Sequence, residues 1–64
     1  MKITVNGTET EVTAETLSAA LTELGYGDAK VATAVNEAFV PAMARDVALS
    51  PGDRLEIVAP RQGG

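Results

Sequence analysis

Ser50-Pro51-Gly52-Asp53-Arg54-Leu55-Glu56-Ile57-Val58 is the stretch on which the fold turns. Proline followed by glycine fills the two central positions that a type II turn prefers. Leu55 and Ile57 then alternate with Arg54, Glu56 and Val58, the period-two signature of a strand with one buried face. Downstream, Pro60 has no backbone N–H to donate, so sheet pairing should stop near it. Arg61-Gln62-Gly63-Gly64 offers nothing apolar to anchor the chain again. The expected division is a folded domain over residues 1–59 and a tail over 60–64 that projects into water. Glycine lacks a Cβ, so Gly63-Gly64 can enter a cleft too narrow for other residues and bring an α-carboxylate to a reagent held elsewhere. Frayed terminal residues are common, so the meaning of the tail depends on the body ahead of it.

Upstream, Met1, Ile3 and Val5 alternate with Lys2 and Thr4, again a half-buried strand. Asn6-Gly7 supplies the positive φ angles of a type I′ turn, which should fold Thr8 to Val12 back antiparallel, Val5 opposite Thr8 and Met1 opposite Val12. Glu9 and Glu11 then share the solvated face, with no apolar surroundings to raise a carboxylate pKa for acid/base work. Leu17, Ala20, Leu21 and Leu24 recur at the spacing of one helical face. Thr16 is the natural N-cap and Gly25 the closing residue. After the connection Gly25-Tyr26-Gly27-Asp28, Val31 to Val35 reads as an inner strand with apolar residues on both faces. Asn36-Glu37-Ala38 is the expected turn, and Phe39-Val40 a short edge strand ended by Pro41. From Ala42 to Ala48 the pattern is weak. The order of elements is α+β, one sheet wrapped round one helix.

Composition narrows function further. A chain of 64 residues buries only about 60% of its unfolded surface, enough for one small core and no deep pocket. It has no cysteine and no histidine, hence no thiolate nucleophile, no disulfide, and neither the usual general base nor the commonest metal ligand. Self-contained catalysis is not expected. No apolar run approaches the roughly 20 residues of a membrane span, and the first residues enter a strand pattern without a signal-peptide layout, so a cytoplasmic location is expected. A net charge of -4 with one tyrosine and one phenylalanine argues against nucleic acid, which needs a basic face and stacking residues. An acidic body suits a basic protein partner, or simply solubility.

Several of these residues together carry a resemblance. Ile3-Thr4-Val5-Asn6-Gly7, Val35-Asn36 ahead of Phe39-Val40-Pro41, Pro51-Gly52-Asp53-Arg54-Leu55-Glu56-Ile57-Val58 and the closing Gly63-Gly64 make the whole chain similar to the ThiS family of sulfur-carrier proteins. One departure is Glu37, where the family often has glycine; residues 42 to 48 match least. The resemblance implies a ubiquitin-like β-grasp fold, one mixed sheet of about four to five strands packed around one helix. It also implies a role in thiamine biosynthesis as a co-substrate of other enzymes. A ThiF-like enzyme would adenylate the Gly64 carboxylate with ATP and Mg²⁺. A persulfide from a cysteine desulfurase would convert it to a thiocarboxylate, and thiazole synthase, ThiG, would take the sulfur. An α-carboxylate is a poor electrophile until its oxygen becomes a leaving group, and the chain has no phosphate loop of its own. Gly63 and Gln62 would let Gly64 reach the partner's site, and Arg61 would meet a carboxylate there. Phe39, Val40 and Val58 cannot all face one helix, so an exposed docking patch beside the tail, joined by Met43, is expected. The small subunit of molybdopterin synthase is similar in the same way, and a β-grasp interaction module with incidental glycines is the alternative from another class.

Overall fold

The computed structural model describes residues 1–27 and 29–59. Among them one mixed sheet of five strands packs on one helix. The strands are β1 Lys2–Val5, β2 Thr8–Glu11, β3 Ala32–Val35, β4 Ala38–Val40 and β5 Arg54–Val58, and the helix, α1, is Leu17–Glu23. Their spatial order is β2-β1-β5-β3-β4. β1 pairs antiparallel with β2, with Val5 opposite Thr8, and the backbones of Met1 and Val12 bond to each other one step further on. β5 lies in the middle, parallel to β1 and antiparallel to β3.

Two tight hairpins make this sheet. Asn6 and Gly7 have φ of 50° and 85°, the left-handed pair of a type I′ turn. Asn36 and Glu37 repeat it at 51° and 72°. The second turn is therefore two residues long, and Ala38, expected in the turn, opens β4 opposite Val35. Glu37 occupies a conformation that disfavours a side-chain-bearing residue; its carboxylate lies 3.4 Å from the Arg54 guanidinium, an exposed ion pair of small value.

Both turn asparagines grip β5. The Asn36 side chain accepts from the Arg54 backbone N–H at 2.9 Å and donates to Asp53 at 3.0 Å. The Asn6 side chain accepts from the Ile57 N–H at 2.8 Å and donates to the Ile57 carbonyl at 3.1 Å. The Ser50 to Asp53 turn that delivers β5 closes with Asp53 N–H on the Ser50 carbonyl and puts Gly52 at φ 89°, as a type II turn requires.

Thr16 caps α1, its hydroxyl accepting from the Ala19 N–H at 3.2 Å. Gly25 at φ 95° closes it: the N–H groups of Gly25 and Tyr26 bond to the carbonyls of Thr22 and Leu21, a Schellman end. The segment after β4, weak in pattern, has a definite task. It makes a 3-10 turn over Ala42–Ala44 and then lays its carbonyls on the start of the helix. Leu17 N–H donates to the Val47 carbonyl and Ser18 N–H to that of Arg45, so the opening donors of α1 are taken up within the fold.

The core comprises Ile3, Val12, Leu17, Ala20, Leu21, Val40, Leu49, Leu55 and Ile57. One polar side chain joins it: Thr33, 2% exposed, donates to the Val40 carbonyl at 2.8 Å and accepts from the Arg45 Nε at 3.2 Å. The Arg45 guanidinium also donates to the Val31 carbonyl. Glu23, at the far end of α1, reaches back to the loop that precedes the helix. Its carboxylate accepts from the N–H groups of Thr13 and Ala14 and from the Thr13 hydroxyl at 3.0–3.2 Å. The Thr13 N–H above all, with the Ala14 N–H and Thr13 hydroxyl, holds this carboxyl below its ordinary pKa. No described helix is long and apolar enough to cross a membrane.

Candidate functional site

Because side chains alternate along a strand, placing Leu55 and Ile57 against α1 turns Arg54, Glu56 and Val58 to the other side of the sheet. The register carries that outer face across to β4. Val58 stands opposite Ala32, Glu56 opposite Ala34, and Ala34 opposite Phe39. Two alanines thus lie between larger side chains, and the result is a shallow depression of about 200 Å³ lined by Ala32, Thr33, Ala34, Phe39, Glu56 and Val58. Its walls are almost wholly apolar apart from Glu56. Phe39 is 69% and Val58 62% exposed, large apolar side chains that the fold itself leaves uncovered. Exposed apolar residues scattered singly are ordinary; here two of them flank a pair of alanines on one face of the sheet, beside Glu56.

The sequence-derived docking residues divide. Phe39 and Val58 meet at this depression. Val40 does not: at 9% exposed it belongs to the core, because the two-residue turn sets it opposite Thr33 on the inner face. Met43 is 94% exposed on the Ala42–Ala44 turn and is not part of the depression's wall. Arg61, Gln62, Gly63 and Gly64 lie outside the described residues, as do Pro60 and Asp28. What is described of their setting is the end of β5: Val58, on the rim of the depression, and Ala59 after it. Ala32, Ala34 and Glu56 are additions that sequence reasoning did not single out. The available signal was the alternation Ala32-Thr33-Ala34, in which the threonine turns inward and the small residues outward.

A larger hollow, about 480 Å³, is lined by Met1, Thr13, Ala14, Glu15, Thr16, Ala48 and Leu49. Glu15 is its ionisable side chain, and Met1 brings the amino terminus, which pairs with Glu11 at 3.2 Å. Among the described residues no three His, Cys, Asp or Glu side chains gather where they could hold a metal ion.

One helix on a mixed five-stranded sheet whose last strand runs between its first and third is the β-grasp architecture of ubiquitin-like proteins. The chain belongs to the ThiS family, whose model matches residues 3–64. Its members are sulfur carriers of thiamine biosynthesis rather than catalysts. The crystal structure of the thiamine biosynthesis protein ThiS from Geobacter metallireducens is similar over 100% of both chains, with 29% sequence identity and a TM-score of 0.82. No curated protein sequence gives a significant match.

Proposed function

We propose that the chain carries sulfur as a thiocarboxylate on Gly64, for construction of the thiazole of thiamine. The observation that carries the reading is the family match over residues 3–64, which takes in Gly63 and Gly64. A ThiF-like enzyme binds ATP and Mg²⁺. The Gly64 carboxylate attacks the α-phosphorus, pyrophosphate leaves, and the resulting acyl adenylate has AMP as its leaving group. A persulfide supplied by a cysteine desulfurase attacks the acyl carbon and AMP departs; cleavage of the new S–S bond by a second thiol leaves the thiocarboxylate and a disulfide. ThiG is the acceptor of the sulfur, a reading supported by the likeness to a thiamine biosynthesis protein. All of this takes place in the cytoplasm.

The carrier's contribution is placement. Phe39, Val58 and the two alanines between them form the face that docks on the activating enzyme, on the same strand that leads to residues 60–64. Arg61, Gln62 and Gly63 pass through a narrow channel, with the Arg61 fork on a carboxylate of that enzyme. Deleting Gly64 withdraws the carboxylate by up to ~3.6 Å, whereas reacting atoms must come within about 3.5 Å. Pyrophosphate exchange should nearly vanish for that deletion and for Gly63→Val, while melting temperatures stay near that of the parent chain. Intact-mass analysis should find a fraction heavier by the difference between sulfur and oxygen, located on Gly64. Near-normal exchange by the deletion would refute the carrier chemistry.

A further inference from the structure

We propose that Asn6 is a positioning residue, whose carboxamide holds Ile57 and so orders the end of β5 from which the carrier tail departs. This rests on the reading that residues 60–64 are delivered to an adenylating enzyme. β1 and β5 form a parallel ladder in which Thr4 N–H bonds to the Asp53 carbonyl and Asn6 N–H to that of Leu55. In an evenly spaced parallel ladder the next partners would be the carbonyl of residue 6 for the Ile57 N–H, and the N–H of residue 8 for the Ile57 carbonyl. Neither is in place, because the chain turns away at Asn6 with φ 50°. The Asn6 side chain replaces both: Oδ1 accepts from Ile57 N–H at 2.8 Å and Nδ2 donates to the Ile57 carbonyl at 3.1 Å. A carboxamide has the same donor and acceptor pair as a peptide group, so it acts as one more rung of the sheet.

The location of that rung is what gives it consequence. Ile57 is followed in the described chain by Val58, on the docking depression, and Ala59. β1 itself pairs only with Arg54 and Leu55. Without the Asn6 carboxamide, the last part of β5 would be held from the β3 side alone, through Ile57 opposite Thr33 and Val58 opposite Ala32. The structure contains its own control. Asn36 occupies the same place in the other hairpin turn and grips β5 with the same kind of bond, but at Arg54, where the strand begins. Both asparagines have left-handed backbones, which glycine adopts freely, so Asn→Gly at either site removes the carboxamide and spares the turn.

Two measurements on the full chain test the proposal. Asn6→Gly should speed amide hydrogen exchange at Val58, which pairs with Ala32, by on the order of tenfold, and lower kcat for pyrophosphate exchange with a ThiF-like enzyme by a similar factor. Asn36→Gly should lower the melting temperature comparably yet leave both readouts at parent values. Asn6→Asp keeps the acceptor for the Ile57 N–H and should fall between. The proposal is overturned when Asn6→Gly and Asn36→Gly give equal exchange at Val58, or when kcat for Asn6→Gly stays within about twofold of the parent. Should the Gly64 deletion retain pyrophosphate exchange, the carrier reading fails separately, and the exchange contrast still decides whether Asn6 orders the strand end.

Discussion

Phe39→Ala is the perturbation that separates docking from folding most cleanly. An aromatic side chain buries about 150–250 Å² when fully covered. With Phe39 69% exposed, on the order of 130 Å² is left for a partner to cover, worth about 3 kcal/mol at ~25 cal/mol per Å². That is an upper bound near 10²-fold in affinity. Ordering and imperfect fit at an interface take part of it back, so a rise in KM of about tenfold is expected. The remaining third of the side chain already touches the protein, about 60 Å² or at most ~1.5 kcal/mol of folding stability. At 4–8 °C per kcal/mol for a domain this small, the melting temperature should fall by no more than about 10 °C. The assay is pyrophosphate exchange with a ThiF-like enzyme over a range of carrier concentrations, well below the variant's melting temperature. KM should rise with kcat unchanged, since docking contacts hold ground and transition states alike. Val58→Asp, at the opposite wall beside Glu56, should act in the same direction. A KM within about twofold of the parent for both variants would refute the docking face.

Other outcomes follow from the interior. Thr33→Val should lower stability by about 2 kcal/mol, because the Val40 carbonyl and the Arg45 Nε both lose the hydroxyl in a buried setting. Thr33→Ser keeps the hydroxyl and loses one methyl, about 0.8 kcal/mol; denaturant melts that rank the valine above the serine would overturn this account. The depressed pKa of Glu23 gives a stability contribution fully present above the unfolded value of about 4.3 and lost as pH falls through the lower folded value. Melting temperature should therefore drop on acidification below about pH 5, and Glu23→Gln should flatten that slope. An unchanged slope would place the acid sensitivity elsewhere.

The fold was legible wherever a local signal and its periodicity agreed. Asn6-Gly7 sets its own turn type, Thr16 and Gly25 bound the helix, and Leu55 and Ile57 mark the buried face of β5 without any knowledge of their neighbours. Val40 was not legible, because a two-residue segment has no periodicity and its face depends on the length of the turn before it. Reading Ala38 into that turn removed the register that sends Phe39 outward and Val40 inward. The alanines at 32 and 34 resemble core residues in a sequence; their place on the outer face comes from Thr33 facing Val40 and Arg45. The grips of Glu23 on Thr13 and of Asn6 on Ile57 are tertiary, the latter spanning 51 positions, and no local pattern announces them. Residues 42–48 lack apolar rhythm because they serve α1 with backbone carbonyls.

The central place of β5 has a kinetic meaning. It follows every other strand in sequence, yet among the described residues it is the element that joins β1–β2 to β3–β4 within the sheet. Until it arrives the chain holds two separate hairpins, and an isolated two-stranded hairpin is marginal in water. Its contacts with β1 are among the most distant in sequence, so their loop-closure cost falls at the final step of assembly. A nascent chain stopped before Arg54 would therefore show no stable sheet. The depression between Phe39 and Val58 would come into existence together with the strand that leads to residues 60–64.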